Sequence, residues 1–256
     1  MTNSLGAGNS QKTVLITGAN GGIGRSLVAL FSEAGFRVIG SDRTRPKSSS
    51  HCDLFVHADL QRTVEDSAYA AERFEEVRAA CGSERLDALI NNGAVQILKP
   101  IDELSVTDWT STLNTNLLAP FFWTQALLPL LRHAQGSVVN ISSIHASQSK
   151  TRFTAYATSK AALSAMTRNM ALELRGEVRI NAIEPAAVRT EMLLEGFEGR
   201  QEQLTKLERC HPVGRLADPD EIAQIALFLC SSSARFLQGT SIAATGGIHA
   251  VLTDPE

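Results

Sequence analysis

Short apolar runs recur along this chain of 256 residues, with stretches of helical period between them. The runs are KTVLIT, FRVIGS, DLFVHA, LDALIN, GSVVNIS, VRINAIE and TSIAAT. TVLIT and SVVNI show little polar alternation, which is the pattern of strands buried on both faces. Strands separated by helices pair in parallel, because each return crossover is long enough to carry a helix over the sheet. The prediction is an α/β fold, a doubly wound, mostly parallel seven-stranded sheet with helices on both faces. No Pro/Gly/Ser-rich linker divides the chain, so residues 12–256 are expected to form one domain behind a flexible tail of residues 1–11. The glycine- and charge-rich interruption at about 189–215 reads as an excursion from that domain, a lid over substrate.

Helix signals fit this layout. Asp218, Pro219 and Glu221 supply an N-cap, a first-turn proline and an N3 carboxylate ahead of an apolar periodic stretch. The segment from about Ser105 to Leu131 reads as one long helix with Trp109, Phe121, Phe122 and Trp123. So much apolar surface predicts burial of more than one face and a homo-oligomer, with a tetramer expected.

Composition narrows the class. A formal charge of -3 gives no basic footprint, which argues against nucleic acid as a partner. Cys52, Cys81, Cys210 and Cys230 are scattered without metal-like spacing, so neither a disulfide framework nor a metal site is expected. No apolar run approaches the ~18 residues of a membrane span, and the start lacks the apolar core of a signal peptide. A cytoplasmic protein is the expectation.

Two segments carry chemistry. KTVLITGANGGIGRSLVALFSEAG reads as strand, glycine turn and helix, with Gly18, Gly22 and Gly24 spaced for a pyrophosphate at a helix N-terminus and with Asn20 and Ile23 in the same turn. Asp42 ends the second strand, where a carboxylate can hold an adenosine ribose and repel the 2′-phosphate of NADP. Arg43, Arg45 and Lys47 oppose that reading with positive charge. Asp59 and Leu60 follow the third strand and are placed to flank an adenine. In the second segment, Tyr156 and Lys160 lie four apart on a helix, and Ser143 stands thirteen residues upstream at a strand end. A phenol beside an ammonium is a workable acid and base, with the ammonium expected to lower the phenol pKa. Tyr69 and Arg73 have the same spacing in a polar run and read as a solvated helix face.

With these residues in view, the chain resembles the short-chain dehydrogenase/reductase family over nearly all of Thr13 to Ala250, through TGANGGIG, LINNGA, NTNLL, NISS, YATSK and VRINAIEPAAVRTEM. The resemblance implies a Rossmann-type fold and an NAD(P)(H)-dependent exchange between a secondary alcohol and a ketone. It implies Tyr156 as acid/base, Ser143 polarising the substrate oxygen, Lys160 gripping the nicotinamide ribose and Asn116 holding a water. It also implies Val188 and Thr190 at the carboxamide and Asn91 at the adenosine ribose. NAD is expected over NADP because of Asp42. Substrate-pocket candidates are His145, Gln148, Phe153, Glu184, Ala187, Met192, Leu193 and Phe197. Three departures stand out: Gly93-Ala94 for the family's Ala-Gly, Ala186 for glycine, and Thr245 for a frequent aspartate. The alternative function is a catalytically silent nucleotide sensor or scaffold.

Overall fold

The computed structural model describes residues 11–46, 51–82 and 85–252. Lys47 and nearly all of the expected tail lie outside them. In chain order the elements are β1 (Thr13–Thr17), α1 (Gly22–Glu33), β2 (Arg37–Asp42), β3 (Leu54–His57), α2 (Arg62–Glu65), α3 (Ser67–Cys81) and β4 (Ala88–Asn91). There follow α4 (Val106–Leu113), α5 (Ala119–Ala134), β5 (Ser137–Ile141), α6 (Thr154–Leu174), β6 (Arg179–Pro185), α7 (Glu191–Glu195), α8 (Gln201–Arg209), α9 (Pro219–Cys230) and β7 (Ser241–Ala244). The seven strands form one sheet in the order β3-β2-β1-β4-β5-β6-β7, and every pairing is parallel.

The period of two along a strand sends alternate residues to opposite faces. On one face Val14 and Ile16 join Leu27, Val28 and Phe31 of α1 and Ile222, Ala226 and Leu229 of α9. On the other, Leu15 and Leu89 join Val77 of α3 and Trp123, Leu127 and Leu131 of α5. All five residues of β1 are buried, as its unbroken apolar run predicts, whereas β7 at the sheet edge is only partly covered.

The expected long helix is real but not uniform. Ser105 caps α4, its Oγ accepting the Asp108 N–H while Asp108 Oδ2 accepts the Ser105 N–H. A π-helical turn, Asn114–Leu118, then joins α4 to α5. The aromatics of α5 divide between core and surface. Trp123 is fully buried, with Nε1 donating to Thr63 Oγ1 at 3.1 Å, while Phe122 faces outward.

Candidate active site

The site assembles at the carboxyl ends of β1, β2, β4, β5 and β6, where an open parallel sheet presents its loops and helix N-termini. Gly18 follows β1 at φ 64°, and a Cβ there would come within 2.6 Å of the Gly93 Cα. Two backbones therefore cross in contact, and only glycine fits the conformation and the space. A Cβ on Gly22 would meet Thr190 Cγ2 at 2.6 Å, so the nicotinamide-loop candidate Thr190 lies directly against the glycine turn. Gly21 caps α1 without a side-chain bond, and the first turn holds no acidic residue. The α1 N-terminus is thus open to an anion, a donor set that fits a dinucleotide pyrophosphate.

Asp42 is held at the end of β2, its Oδ2 accepting from Asn20 N at 3.2 Å and its Oδ1 from Thr44 N at 3.1 Å. Asp59 Oδ1 accepts the Arg62 N–H at the start of α2, and Leu60 reaches over Gly93, where a Cβ would meet its Cδ1 at 2.5 Å. Glycine at 93 therefore makes room for Leu60. Ala94 and Ala186 are unstrained, since the described non-glycine residues at positive φ are Gln135, Arg152 and Arg175. Thr245 hydrogen-bonds the His249 ring within its own chain.

Asn91, the expected ribose contact, is committed through its side chain, which leaves its backbone for such a contact. Its side chain is buried at the end of β4 and donates to Asn140 Oδ1 at 2.8 Å. Asn92 faces the glycine turn instead, its Nδ2 donating to Thr17 O at 3.1 Å and Gly18 O at 3.0 Å. Asn116, in the π turn, is fully buried and clamps Val95: its Oδ1 accepts Val95 N at 2.8 Å and its Nδ2 donates to Val95 O at 2.9 Å and Ser159 Oγ at 3.1 Å. With both side-chain atoms committed, contact with a relay water falls to its backbone.

Ser143 follows β5, and its hydroxyl hydrogen-bonds Tyr156 near the start of α6. Lys160, one turn further on, is 3% exposed; its Nζ donates to Ile141 O at 2.7 Å and lies 5.8 Å from the Tyr156 ring centroid. Burial lowers the Lys160 pKa to about 8. Burial also raises that of Tyr156, with the Ser143 hydrogen bond opposing. The expectation that Lys160 lowers the phenol pKa is thus not met in this state: the ammonium is turned to a carbonyl beneath the ring, and desolvation of the phenolate dominates.

Of the pocket candidates, His145 and Phe153 join Ser143 and Tyr156. The two rings stack at 4.3 Å between centroids. Gln148 is tied to His249 O at 2.9 Å and Glu184 accepts from Ser164 at 2.8 Å, so both already have protein partners. Met192 is exposed on α7, while Leu193 and Phe197 are partly buried. Arg25 links α1 to this segment through Glu191 at 2.8 Å and also donates to Asn20 O at 2.8 Å. The motifs alone did not disclose the roles of Gly93, Asn92, Val95 and Ser159, which depend on partners distant in sequence. Only the exchanged order Gly93-Ala94 marked that loop.

Residues 18–249 match the family model described as enoyl-(acyl carrier protein) reductase. Similar curated proteins include protein FixR of Bradyrhizobium diazoefficiens, 35% identical over 93% of this chain and 87% of that protein. D-threitol dehydrogenase of Mycolicibacterium smegmatis is 34% identical, covering 92% of each. The 3-oxoacyl-[acyl-carrier-protein] reductase FabG of Thermotoga maritima is 33% identical over 93% and 97%. Among solved structures, ligand-free aldohexose dehydrogenase of Thermoplasma acidophilum superposes with a TM-score of 0.88 at 26% identity, covering 96% and 98%. A 4-hydroxyisoleucine dehydrogenase complexed with NADH (TM-score 0.84, 27% identity, 94% and 100% covered) and ElxO with NADP bound (0.84, 25%, 94% and 100%) are also similar. The chain belongs to the short-chain dehydrogenase/reductase family, whose members are NAD(P)-dependent oxidoreductases.

Proposed function

We propose that this protein interconverts a secondary alcohol and a ketone, with Tyr156 as the acid/base and NAD(H) preferred. The observation that carries the reading is the convergence of Ser143 and Tyr156 over a buried Lys160, beside an α1 N-terminus fit for a dinucleotide. A bound nicotinamide supplies the hydride donor or acceptor. In the reducing direction Ser143 Oγ donates a hydrogen bond to the carbonyl oxygen, and Tyr156 gives its proton to the alkoxide that forms. The raised phenol pKa keeps that proton in place at neutral pH. In the oxidising direction the substrate hydroxyl proton returns to the Tyr156 oxygen. Lys160 buries a positive charge beneath the ring, in reach of a ribose once it leaves Ile141 O. The polyhydroxy substrates in the names D-threitol dehydrogenase and aldohexose dehydrogenase support an alcohol of that kind.

The cofactor preference rests on Asp42, whose carboxylate is aimed by Asn20 and Thr44 and retains acceptor capacity for ribose hydroxyls. Loss of those bonds and like-charge repulsion favour NAD over NADP by about five- to 150-fold, or roughly 1 to 3 kcal/mol. A panel of alcohols and ketones followed at 340 nm with each cofactor tests both claims. Clear NADP preference overturns the second, and Asp42→Ala should erode the preference for NAD.

Two further readings accompany this one. The segment at 189–215, largely exposed and with Leu204 as its buried apolar anchor on α8, is read as the substrate lid; hydrogen exchange there should slow when cofactor and substrate analogue bind together. Phe236, fully exposed, and the exposed Leu172, Phe228 and Phe122 support a homo-oligomer, a tetramer by expectation, which light scattering tests.

A further inference from the structure

Neither cofactor contact nor proton transfer accounts for the hydrogen bonds that leave α2. This helix is a single turn, Arg62–Glu65, and it starts just after the adenine candidates Asp59 and Leu60. Asp59 fixes its first end: Oδ1 accepts the Arg62 N–H at 3.2 Å and the backbone oxygen accepts the Thr63 N–H at 3.0 Å. Thr63 Oγ1 donates back to Leu60 O at 2.7 Å and accepts the buried Trp123 indole N–H of α5 at 3.1 Å. At the other end, Glu65 Oε1 accepts from Gln61 Nε2 at 2.8 Å and from Asn114 Nδ2 at 3.1 Å, across 49 residues of sequence. Gln61 Oε1 also accepts the Ser111 hydroxyl of α4 at 2.8 Å. Asn114 is the first residue of the π turn, and its carbonyl accepts the Ala119 N–H, a wide i to i+5 bond. The residue is 8% exposed, and Glu65 is the acceptor for its side-chain N–H among the described residues.

We infer that Glu65 is a positioning residue: it ties the π turn that holds Asn116 to the adenosine end of the dinucleotide site, so that adenosine binding stiffens the turn beside Tyr156. The inference rests on the reading of Asp42, Asp59 and Leu60 as that adenosine end. From the π turn the path continues, since Asn116 Nδ2 donates to Ser159 Oγ at 3.1 Å and Ser159 Oγ donates to the Tyr156 carbonyl at 2.7 Å. Hydrogen bonds and one short helix therefore run without a break from Asp59 to the helical turn that carries the phenol, the kind of contiguous network through which coupling is carried. A bound adenosine restrains Asp59 and Leu60, and a single turn fixed at both ends passes the restraint on. The carboxylate charge strengthens both bonds that Glu65 accepts. Ordering one end of such a chain lowers the cost of ordering the other. Loss of Glu65 instead leaves a buried Asn114 donor unpaired, which loosens the turn.

The test uses ADP, which carries adenosine and a pyrophosphate and has no nicotinamide to touch the catalytic end. In hydrogen exchange read by mass spectrometry, the amides of residues 113–119 should slow by about fivefold or more when ADP saturates the wild type. Glu65→Ala and Asn114→Ala break one bond from its two sides; each should bind ADP within a few-fold of wild type and lose the slowing. Glu65→Gln keeps an acceptor oxygen and should restore it. If one alanine variant fails to fold, the other reads the same bond. Slowing that persists in the alanine variants, or that is absent from the wild type with ADP bound, overturns the inference. The single-turnover rate of hydride transfer should fall by about fivefold or more in Glu65→Ala and recover in Glu65→Gln. An equal loss in both, or none in either, also overturns it. Failure of the wild type to turn over any alcohol defeats the proposed function instead, and the exchange result then decides the role of Glu65. Failure of the wild type to bind ADP defeats both readings.

Discussion

Tyr69 with Arg73 on α3 and Tyr156 with Lys160 on α6 share one spacing and one helical geometry, yet the fold gives them different work. Around Tyr69 the contacts are local and largely wet. Its ring lies 4.2 Å from Arg62 and 5.4 Å from Arg73, and Arg73 is paired with Glu76 at 2.6 Å. The Tyr69 oxygen accepts the Asp59 N–H at 3.0 Å, so the pair is more than a solvated face: it pins the loop that carries Asp59 and Leu60. Around Tyr156 the sheet supplies what a helix surface cannot. Lys160 is enclosed, Ile141 O receives its ammonium, and Ser143 meets the phenol. The difference shows that desolvation and a converging partner come to an i, i+4 pair from the fold around it, not from its spacing.

The sharpest way to break this comparison is to remove each phenol oxygen. Tyr156→Phe should retain cofactor binding and lose about 100- to 10,000-fold in kcat, the range expected for general acid–base catalysis. Tyr69→Phe should keep turnover within a few-fold of wild type. Comparable activity in the two variants, with chemistry shown to limit the rate, removes the distinction.

Next in size is the effect of burying the Lys160 charge. Its pKa falls from 10.5 in the unfolded chain to about 8 in the fold. The folded protein therefore binds fewer protons than the unfolded chain between about pH 8 and 10.5, and stability from this site rises with pH across that window. Below pH 8 the full desolvation cost remains. Urea denaturation of cofactor-free wild type and Lys160→Met should show their stability difference climbing in favour of wild type by about 3 kcal/mol from pH 8 to 10.5. A flat difference for Lys160 means that its ammonium is better solvated than its enclosure indicates.

The smallest expected effect sharpens the role of Tyr69. Removing its oxygen leaves the Asp59 N–H without an acceptor and should cost about 1 kcal/mol of stability. Loss of cofactor affinity well beyond that of stability would assign Tyr69 a part in the adenine end.

Much of this was legible without coordinates. The seven apolar runs match seven strands within a residue or two; for the inner strands such as β1 and β5 the reason is burial on both faces, which leaves no room for polar alternation. The Asp218 N-cap position, where Glu221 Oε2 accepts the Asp218 N–H at 2.8 Å, is local enough to be read from neighbouring residues. The π turn at Asn114–Leu118 was not legible, since NTNLL has ordinary helical composition. Its Asn116 is held by Val95, 21 residues away.

From the sequence alone came the element order, the parallel sheet, the glycine turn, the carboxylate ending β2 and the Ser143, Tyr156 and Lys160 set, all of which follow from periodicity, local backbone preference and short spacing. The tertiary structure decided which tyrosine is desolvated, where the Lys160 ammonium points, that Asn91 turns inward while Asn92 holds the glycine turn, and that His145 joins the phenol. Those outcomes depend on backbone carbonyls and rings brought together across the ends of different strands, and no spacing within one segment encodes such contacts.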